Sequence, residues 1–467
     1  MYYQSLFNRP ADKPIRVCLL GAGEFGASFL FQAQDMPNVQ VSAVCTRTVS
    51  RAVEAYKDAG VPESKVRVCA DAQEAAKAGK EGLFVVVDSF DKLADLPLEV
   101  LIESSGAPEV AAAAGEMAIN RGMHVIMVTK ETDSIIGPLL AWKAKQKNLV
   151  YTTGEGDQPS MLIGLISWAR VLGLKIVGAG KSSEYDFIYD PVTKKIDCEG
   201  QGQNFDCPGL DAQWLLGERP VKEVVDARAA LVEGRLKLRT PPDLCEMTVV
   251  ANATGLKPDI PVFHAPIARM TELPDIFCPK SDGGLFNGTG CLDVFNCLHR
   301  PDEVSMAGGE FIIVECKDRK SWKVLEAKGH PMSRNGKYAA LYIPQHLLGV
   351  EIGISVLAAA TMGHATGGDN LRPVCDMHGK ASRDLKKGYV LTITGHHRII
   401  DGITAFMNDA TAIGGDAPLP FYLFGNMELV RDVPEGKTIS ANDVRMPEDS
   451  AFLRLRYEQD KLFKLKG

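Results

Sequence analysis

From Ile15 to about Gly156 the chain alternates short apolar runs with segments of helical spacing. IRVCLL is followed by the helical GASFLFQAQ. Then come VQVSAVC, FVVV, LEVLIE, the alanine-rich AAAAGEMAINRG, HVIMVT and VYTT. Apolar runs separated by helical patterns predict βαβ units on a parallel sheet. From about 157 to 370 the pattern mixes: SMLIGLISWARVLG predicts a helix, whereas KIVGAGK, MTVVANATG and EFIIVEC predict strands. The greasiest stretch, Leu347 to Gly363, carries Glu351 and is short for a bilayer, so it predicts one buried core helix and no membrane partner.

GHATGGDNLRP, residues 363 to 373, is the best linker, with a small strand-rich piece beyond it. There, ASRDLKKGYVLT (381 to 392) echoes ELVRDVPEGKTIS (428 to 440), which implies two copies of one β-hairpin unit. The final DSAFLRLRYEQDKLFKLKG has helical spacing and a basic end suited to a helix C-terminus. The expected class is α/β: an N-terminal Rossmann doubly wound sheet over 1–160, a central α+β catalytic domain over 161–370, and a β-rich piece with a terminal helix over 371–467.

Composition narrows the partners. A chain of 467 residues, 45% apolar and 24% charged, fits about three domains of a globular protein. Lys and Arg number 52 against 59 Asp and Glu, a net charge of -7, so binding to nucleic acid has no electrostatic support. The 11 cysteines form no C-x-x-C pair and are odd in number, which predicts reduced buried thiols and a cytoplasmic location. MYYQSLFNRPADKPIRV lacks the basic and apolar regions of a signal peptide, in keeping with that expectation.

The sharpest motif is GAGEFG, placed between the strand IRVCLL and a helix. Gly21 permits the tight turn, Gly23 lets a pyrophosphate approach the backbone, Gly26 lets helix and strand pack closely, and Glu24 and Phe25 complete the cofactor turn. Where an acidic residue would hold both ribose hydroxyls, the chain has Thr46 and Arg47, with Arg51 a helical turn beyond. Guanidinium groups suit a 2′-phosphate, so NADP(H) is favoured, although both arginines could be ordinary solvated surface.

At the carboxyl ends of the parallel strands stand Ser104-Ser105-Gly106, which would also face the cofactor, then Thr129-Lys130-Glu131, then Asp157-Gln158-Pro159. Lys130, just past an apolar strand, would point toward the nicotinamide and donate to a substrate oxygen, or else pair with Glu131 or Asp133. Asp157 either orients the reacting groups or N-caps the helix that Pro159 begins. Lys181 with Ser182 and Ser183 forms a donor cluster for a hydroxylated or phosphorylated small molecule, Lys181 being the second catalytic candidate. ANATGLKPD reads as a turn. The nine histidines occur singly apart from His396-His397, without metal spacing, so no zinc site is expected, while a carboxylate-held Mg²⁺ stays open. The absence of G-x-S-x-G and G-x-x-x-x-G-K-[ST] lowers serine-hydrolase and P-loop readings.

GAGEFG, HVIMVTKETDSIIGP, GEGDQPS, VGAGK, ANATGLKPDI, the Pro344-Gln345-His346-Leu347 step with Glu351 and the twin RDLKKG/RDVPEG units together resemble the homoserine dehydrogenase-like oxidoreductases with a C-terminal SAF domain. The similarity runs from about residue 15 to 445, and the family includes 1-deoxy-D-xylulose 5-phosphate reductoisomerase-like enzymes. The resemblance implies an NADP-dependent homodimer whose Gly21, Gly23 and Gly26 hold the dinucleotide. It further implies that Ser182 and Ser183, with Gln345 and His346 of the step, line the substrate pocket, and Lys130 is similar to the lysine after the corresponding strand in homoserine dehydrogenases. The reductoisomerase-like branch carries a basic residue just before the proline of the step, where this chain has Ile343.

Three functions follow. The first is hydride transfer between NADP(H) and a small polyhydroxylated carbonyl or alcohol. The second is reductoisomerase chemistry on deoxyxylulose phosphate with a divalent metal, forming 2-C-methyl-D-erythritol 4-phosphate. The third is non-catalytic nucleotide sensing or sugar-acid binding through the SAF piece.

Overall fold

The structure, a computed structural model, describes residues 2–7, 12–395 and 397–466; His396 of the His396-His397 pair lies outside them. Seven strands build the first sheet: β1 (Ile15–Leu20), β2 (Val39–Cys45), β3 (Val66–Val68), β4 (Phe84–Val87), β5 (Val100–Glu103), β6 (His124–Met127) and β7 (Tyr151–Thr153). Their order is β3-β4-β2-β1-β5-β6-β7 with every pairing parallel, which is the doubly wound arrangement the apolar runs predict. The order reverses between β1 and β5, so the ligand crevice opens above their carboxyl ends. The sequence pattern misses β3, a partly exposed edge strand of three residues.

The second sheet is built on β8 (Ile176–Asp190), which runs parallel to β9 (Cys291–His299) on one side and antiparallel to β10 (Glu310–Glu315) on the other. KIVGAGK and EFIIVEC are strands as expected, and SMLIGLISWARV is the helix Gln158–Val171. MTVVANATG is not a strand. It is the second half of the helix Pro241–Thr254, whose residues Asp243 to Asn252 are all buried. A helix without a wet face shows no amphipathic period, and its β-branched run reads as strand. Its ends carry the true signal: the Thr240 side chain accepts from Asp243 N, Pro241 begins the first turn, and Gly255 closes it at φ +77°.

The expected single helix over Leu347 to Gly363 is also corrected. Leu347 and Leu348 are exposed, a short turn covers Leu348–Val350, and helix follows over Ile352–Leu357, widening at Ala358–Met362. Gly349 lies so close to Phe25 that a Cβ there would stand 2.1 Å from the Phe25 carbonyl oxygen. Ile352 and Val356 then join Val17, Phe29 and Leu30 in the core beneath the first sheet. The stretch expected as a linker is packed as well, since Gly367 N donates to Thr152 Oγ1 at 2.7 Å.

The twin units do not form two separate hairpins; they pair with each other. Leu385 and Val433 exchange backbone hydrogen bonds. Asp384 accepts from Glu435 N and Asp432 accepts from Lys387 N, both at 2.9 Å. Each Arg-Asp unit thus supports the other's turn, which is why the motif occurs twice. All 11 cysteines are buried free thiols, and among the described residues no helix is long and apolar enough to cross a membrane.

The terminal helix Ala451–Phe463 packs on the helices Pro108–Asn120 and Lys130–Gln146 of the first sheet. Its Gln459 repairs a break there. Pro138 sits inside Lys130–Gln146 and supplies no N–H to the Ser134 carbonyl. That carbonyl accepts from Asn252 Nδ2 at 3.2 Å, while the Gln459 amide bridges Ile135 O and Leu139 N at 2.7 and 3.1 Å. Asn252 Oδ1 accepts in addition from Val374 N and Cys375 N at 2.8 and 3.0 Å. Asn252→Leu leaves three backbone groups unpaired, two of them buried, and is expected to cost about 3 kcal/mol, read as a lower denaturation midpoint at unchanged m-value. A loss below about 0.5 kcal/mol would refute this account of the break at Pro138.

Candidate active site

The glycine turn follows β1 directly. Gly21 has φ +101°, and a Cβ on it would meet Ser104 O at 2.5 Å. A Cβ on Gly26 would meet the Gly21 carbonyl oxygen at 2.4 Å, so the helix Glu24–Gln32 starts hard against the turn. Gly23 is its N-cap without a capping side chain, and Gly23 and Glu24 are exposed, leaving the first N–H groups to face an anion. A cavity of about 640 Å³ opens there, lined by Gly21, Gly23, Thr46, Arg47, Arg51 and Ser105 among others. Of the expected cofactor residues, Ser104 also lines it, Phe25 lies behind the turn under Gly349, and Gly106, next after Ser105 in the chain, is not among its lining residues. A mobile pyrophosphate-bearing coenzyme fits this cradle of open backbone, helix start and guanidinium groups.

The loop after β5 is held from below. Glu103 is buried and accepts from Ser105 N at 2.9 Å and from the Ser105 hydroxyl; burial pushes its carboxyl up to about 7 against those bonds. Thr129 Oγ1 accepts from Gly106 N at 3.0 Å, which ties the loop to the start of the Lys130 helix.

Beside this loop stands a cluster of buried charges. Lys130, a quarter exposed at its side chain, donates to Asp157 Oδ1 at 3.1 Å and to one oxygen of Glu246. Lys181, with 0% exposure, donates to the other oxygen of Glu246 and to Gln158 Oε1, and lies 3.1 Å from Asp243 Oδ1. Asp243 Oδ2 accepts in turn from Ser183 and Thr240, at 2.9 and 2.8 Å. Burial alone would raise the Glu246 carboxyl, but the two ammonium groups bring it down to about 2. Burial likewise opposes charge on the lysines, yet Asp157 and Glu246 hold Lys130, and Glu246 and Asp243 hold Lys181, above the ordinary lysine range. Both lysines are therefore ammonium ions at neutral pH.

Glu310 completes the cluster from β10, directly opposite Lys181 in the strand register. Both its carboxyl oxygens are buried without a hydrogen-bond partner, and burial pushes the group up to about 9, so it is a neutral acid. His346 borders the cluster, its imidazole lowered by burial.

The mouth is closed from the C-terminal piece. Arg398 donates to the Gly106 carbonyl and pairs with Glu131, while His397 Nδ1 lies 3.5 Å from Glu184 and its ring packs edge-on to Tyr185 at 4.9 Å. Glu184 and Tyr185 reach that hairpin because β8 bulges: Ser182 pairs Phe295, but Asp186 pairs Cys297, leaving three residues opposite Asn296 alone.

The structure thus brings Lys130, Asp157 and Lys181 into one constellation. Lys130 pairs with Asp157 and Glu246 and not with Glu131 or Asp133, and Asp157 also caps its helix, accepting from Gln158 N at 3.1 Å. Ser182 and Ser183 are fully buried with hydroxyls bonded inside the protein, and Gln345 is exposed. Asp243, Glu246, Gln158 and Glu310 are functional candidates the sequence reading misses. The helix ends at Thr240-Pro241 and Gly255 would have revealed the first two, because Asp243 and Glu246 then share one face at i, i+3.

Comparison with known proteins matches residues 241–352, the segment bearing Asp243, Glu246, Glu310 and His346, to the family described as "Oxidoreductase DRL, catalytic domain". No curated protein matches the chain. Among solved structures, GenD2 from gentamicin A biosynthesis, in complex with NAD, matches at 15% identity over 40% of this chain and 48% of that one, with a TM-score of 0.27. A mutant of KijD10, a 3-ketoreductase from Actinomadura kijaniata in complex with TDP-benzene and NADP, matches at 14% identity over 38% and 48%, TM-score 0.26. Scyllo-inositol dehydrogenase from Lactobacillus casei, with NAD(H) and scyllo-inositol, matches at 14% identity over 38% and 47%, TM-score 0.25. The match spans about half the length of these chains.

Because Glu310 holds its proton up to about 9 in the folded state and the unfolded carboxyl loses it near about 4.3, the native state binds the extra proton across that window and loses stability as pH rises through it. Glu310→Gln should therefore gain in Tm over the parent as pH goes from 5 to 8.5. Parallel Tm curves for the two proteins would show that Glu310 is ionised in the fold.

Proposed function

We propose that the protein is an NADP(H)-dependent oxidoreductase that moves hydride between the nicotinamide and a small polyhydroxylated carbonyl or alcohol. The observation that carries this reading is a glycine turn opening a coenzyme-sized cavity whose inner loop is bonded, through Gly106 N and Thr129 Oγ1, to the residue preceding a crevice lysine. The match of residues 241–352 to an oxidoreductase catalytic domain supports it independently, since that segment supplies Glu246 to the same lysine.

The coenzyme, when bound, supplies or accepts the hydride. Gly21, Gly23 and Gly26 would hold its pyrophosphate, and Arg47 and Arg51 its 2′-phosphate. Lys130 is the partly exposed member of the cluster and the one able to reach a substrate. As an ammonium ion it donates to the reacting oxygen, stabilises the negative charge that develops there and passes its proton to it. Asp157 and Glu246 fix the direction in which its amine points. Lys181, wholly buried, acts through Glu246: it keeps that carboxylate ionised and hence Lys130 protonated.

Fluorescence titration tests the coenzyme: the double variant Arg47→Ala, Arg51→Ala should weaken NADPH about 10- to 100-fold and leave NADH within about twofold. Equal losses for both would remove the arginines from phosphate recognition. Lys130→Met should bind coenzyme within about twofold of the parent but turn over sugars and polyols about 10³-fold more slowly. Unaltered turnover would exclude Lys130 from the chemistry.

A further inference from the structure

The charge pattern of the crevice says what kind of substrate it accepts, given the oxidoreductase reading above. Two permanent cations face it, Lys130 and Arg398, a third, Lys181, lies wholly buried behind Glu246, and each already has a carboxylate partner: Asp157 and Glu246 for Lys130, Asp243 and Glu246 for Lys181, Glu131 for Arg398. Glu184 adds a further carboxylate beside His397. Five carboxylates thus surround three cations.

We propose that the crevice selects an uncharged polyhydroxylated substrate and rejects its phosphate ester. Seating a phosphate dianion on Lys130 would require displacing Asp157 or Glu246, both almost wholly buried, and would leave that carboxylate uncompensated in a dry environment. Seating it on Arg398 would strip Glu131, itself 12% exposed at the side chain, and break the bond that holds Gly106. A hydroxyl needs no exchange: it donates to a carboxylate and accepts from an ammonium group at once, and neighbouring hydroxyls fit an alternation of the two.

The test uses the full chain with its coenzyme site saturated by NADP⁺, so that phosphate cannot report from the glycine turn. Matched pairs are compared: erythrose with erythrose 4-phosphate, glucose with glucose 6-phosphate, myo-inositol with its 1-phosphate. In any pair turned over, the free compound should exceed its ester by about 100-fold in kcat/KM. At about 10 mM, roughly the upper range of useful ligand concentrations, no ester should raise Tm. A preferred ester, or thermal stabilisation by an ester that Arg398→Ala abolishes, would overturn the proposal. Glu184→Gln, which removes one carboxylate without touching either lysine, should narrow the preference at least about threefold; a preference that does not move, in kinetics or in ester-induced Tm, would count equally against it. If NADP⁺ itself fails to bind, the oxidoreductase reading falls instead, and ester-induced Tm still judges the charge argument.

Discussion

The carboxylate of Glu246, buried between two ammonium groups, is the constraint on which the site depends. A carboxylate in that position is tolerated only because Lys130 and Lys181 each take one of its oxygens. The two lysines come from different sheets, one from the helix after β6 and the other from the middle of β8. The interaction that keeps Lys130 charged therefore also fixes the first sheet relative to the second, and loss of any member would leave the others as unpaired charges in a dry interior.

The helix Pro241–Thr254 delivers that carboxylate and serves as the hub of the molecule. Near its start Asp243 and Glu246 meet the lysines; near its end Asn252 ties the proline-broken helix Lys130–Gln146 to the beginning of the C-terminal piece. Gln459 closes the same break from the opposite end of the chain. Polar side chains here replace backbone bonds that Pro138 forbids, and doing so binds segments far apart in sequence.

The crevice is consequently a product of all three pieces. The loop at Gly106 is held by Thr129 within the first sheet's own connections and by Arg398 from the C-terminal hairpin, while the bulge in β8 brings Glu184 and Tyr185 to that hairpin. Glu310, neutral beneath Lys181, keeps the buried carboxylates from outnumbering the cations still further.

What the sequence determined by itself is what short-range rules decide. The apolar runs set the parallel sheet, the three glycines set the turn after β1, and the position of Lys130 three residues past β6 set its place at the carboxyl end of that strand, because strand period, left-handed backbone and strand ends are local properties. Tertiary structure decided the rest. The helix Pro241–Thr254 is buried on every side and so carries no periodic signal; the twin Arg-Asp units look like two hairpins until each is seen to brace the other; the stretch from Ile352 and the terminal helix return to the first sheet. The pairing of Lys130 with Glu246 spans 116 residues of chain, and no local pattern encodes it, because what selects it is the cost of leaving either charge buried alone.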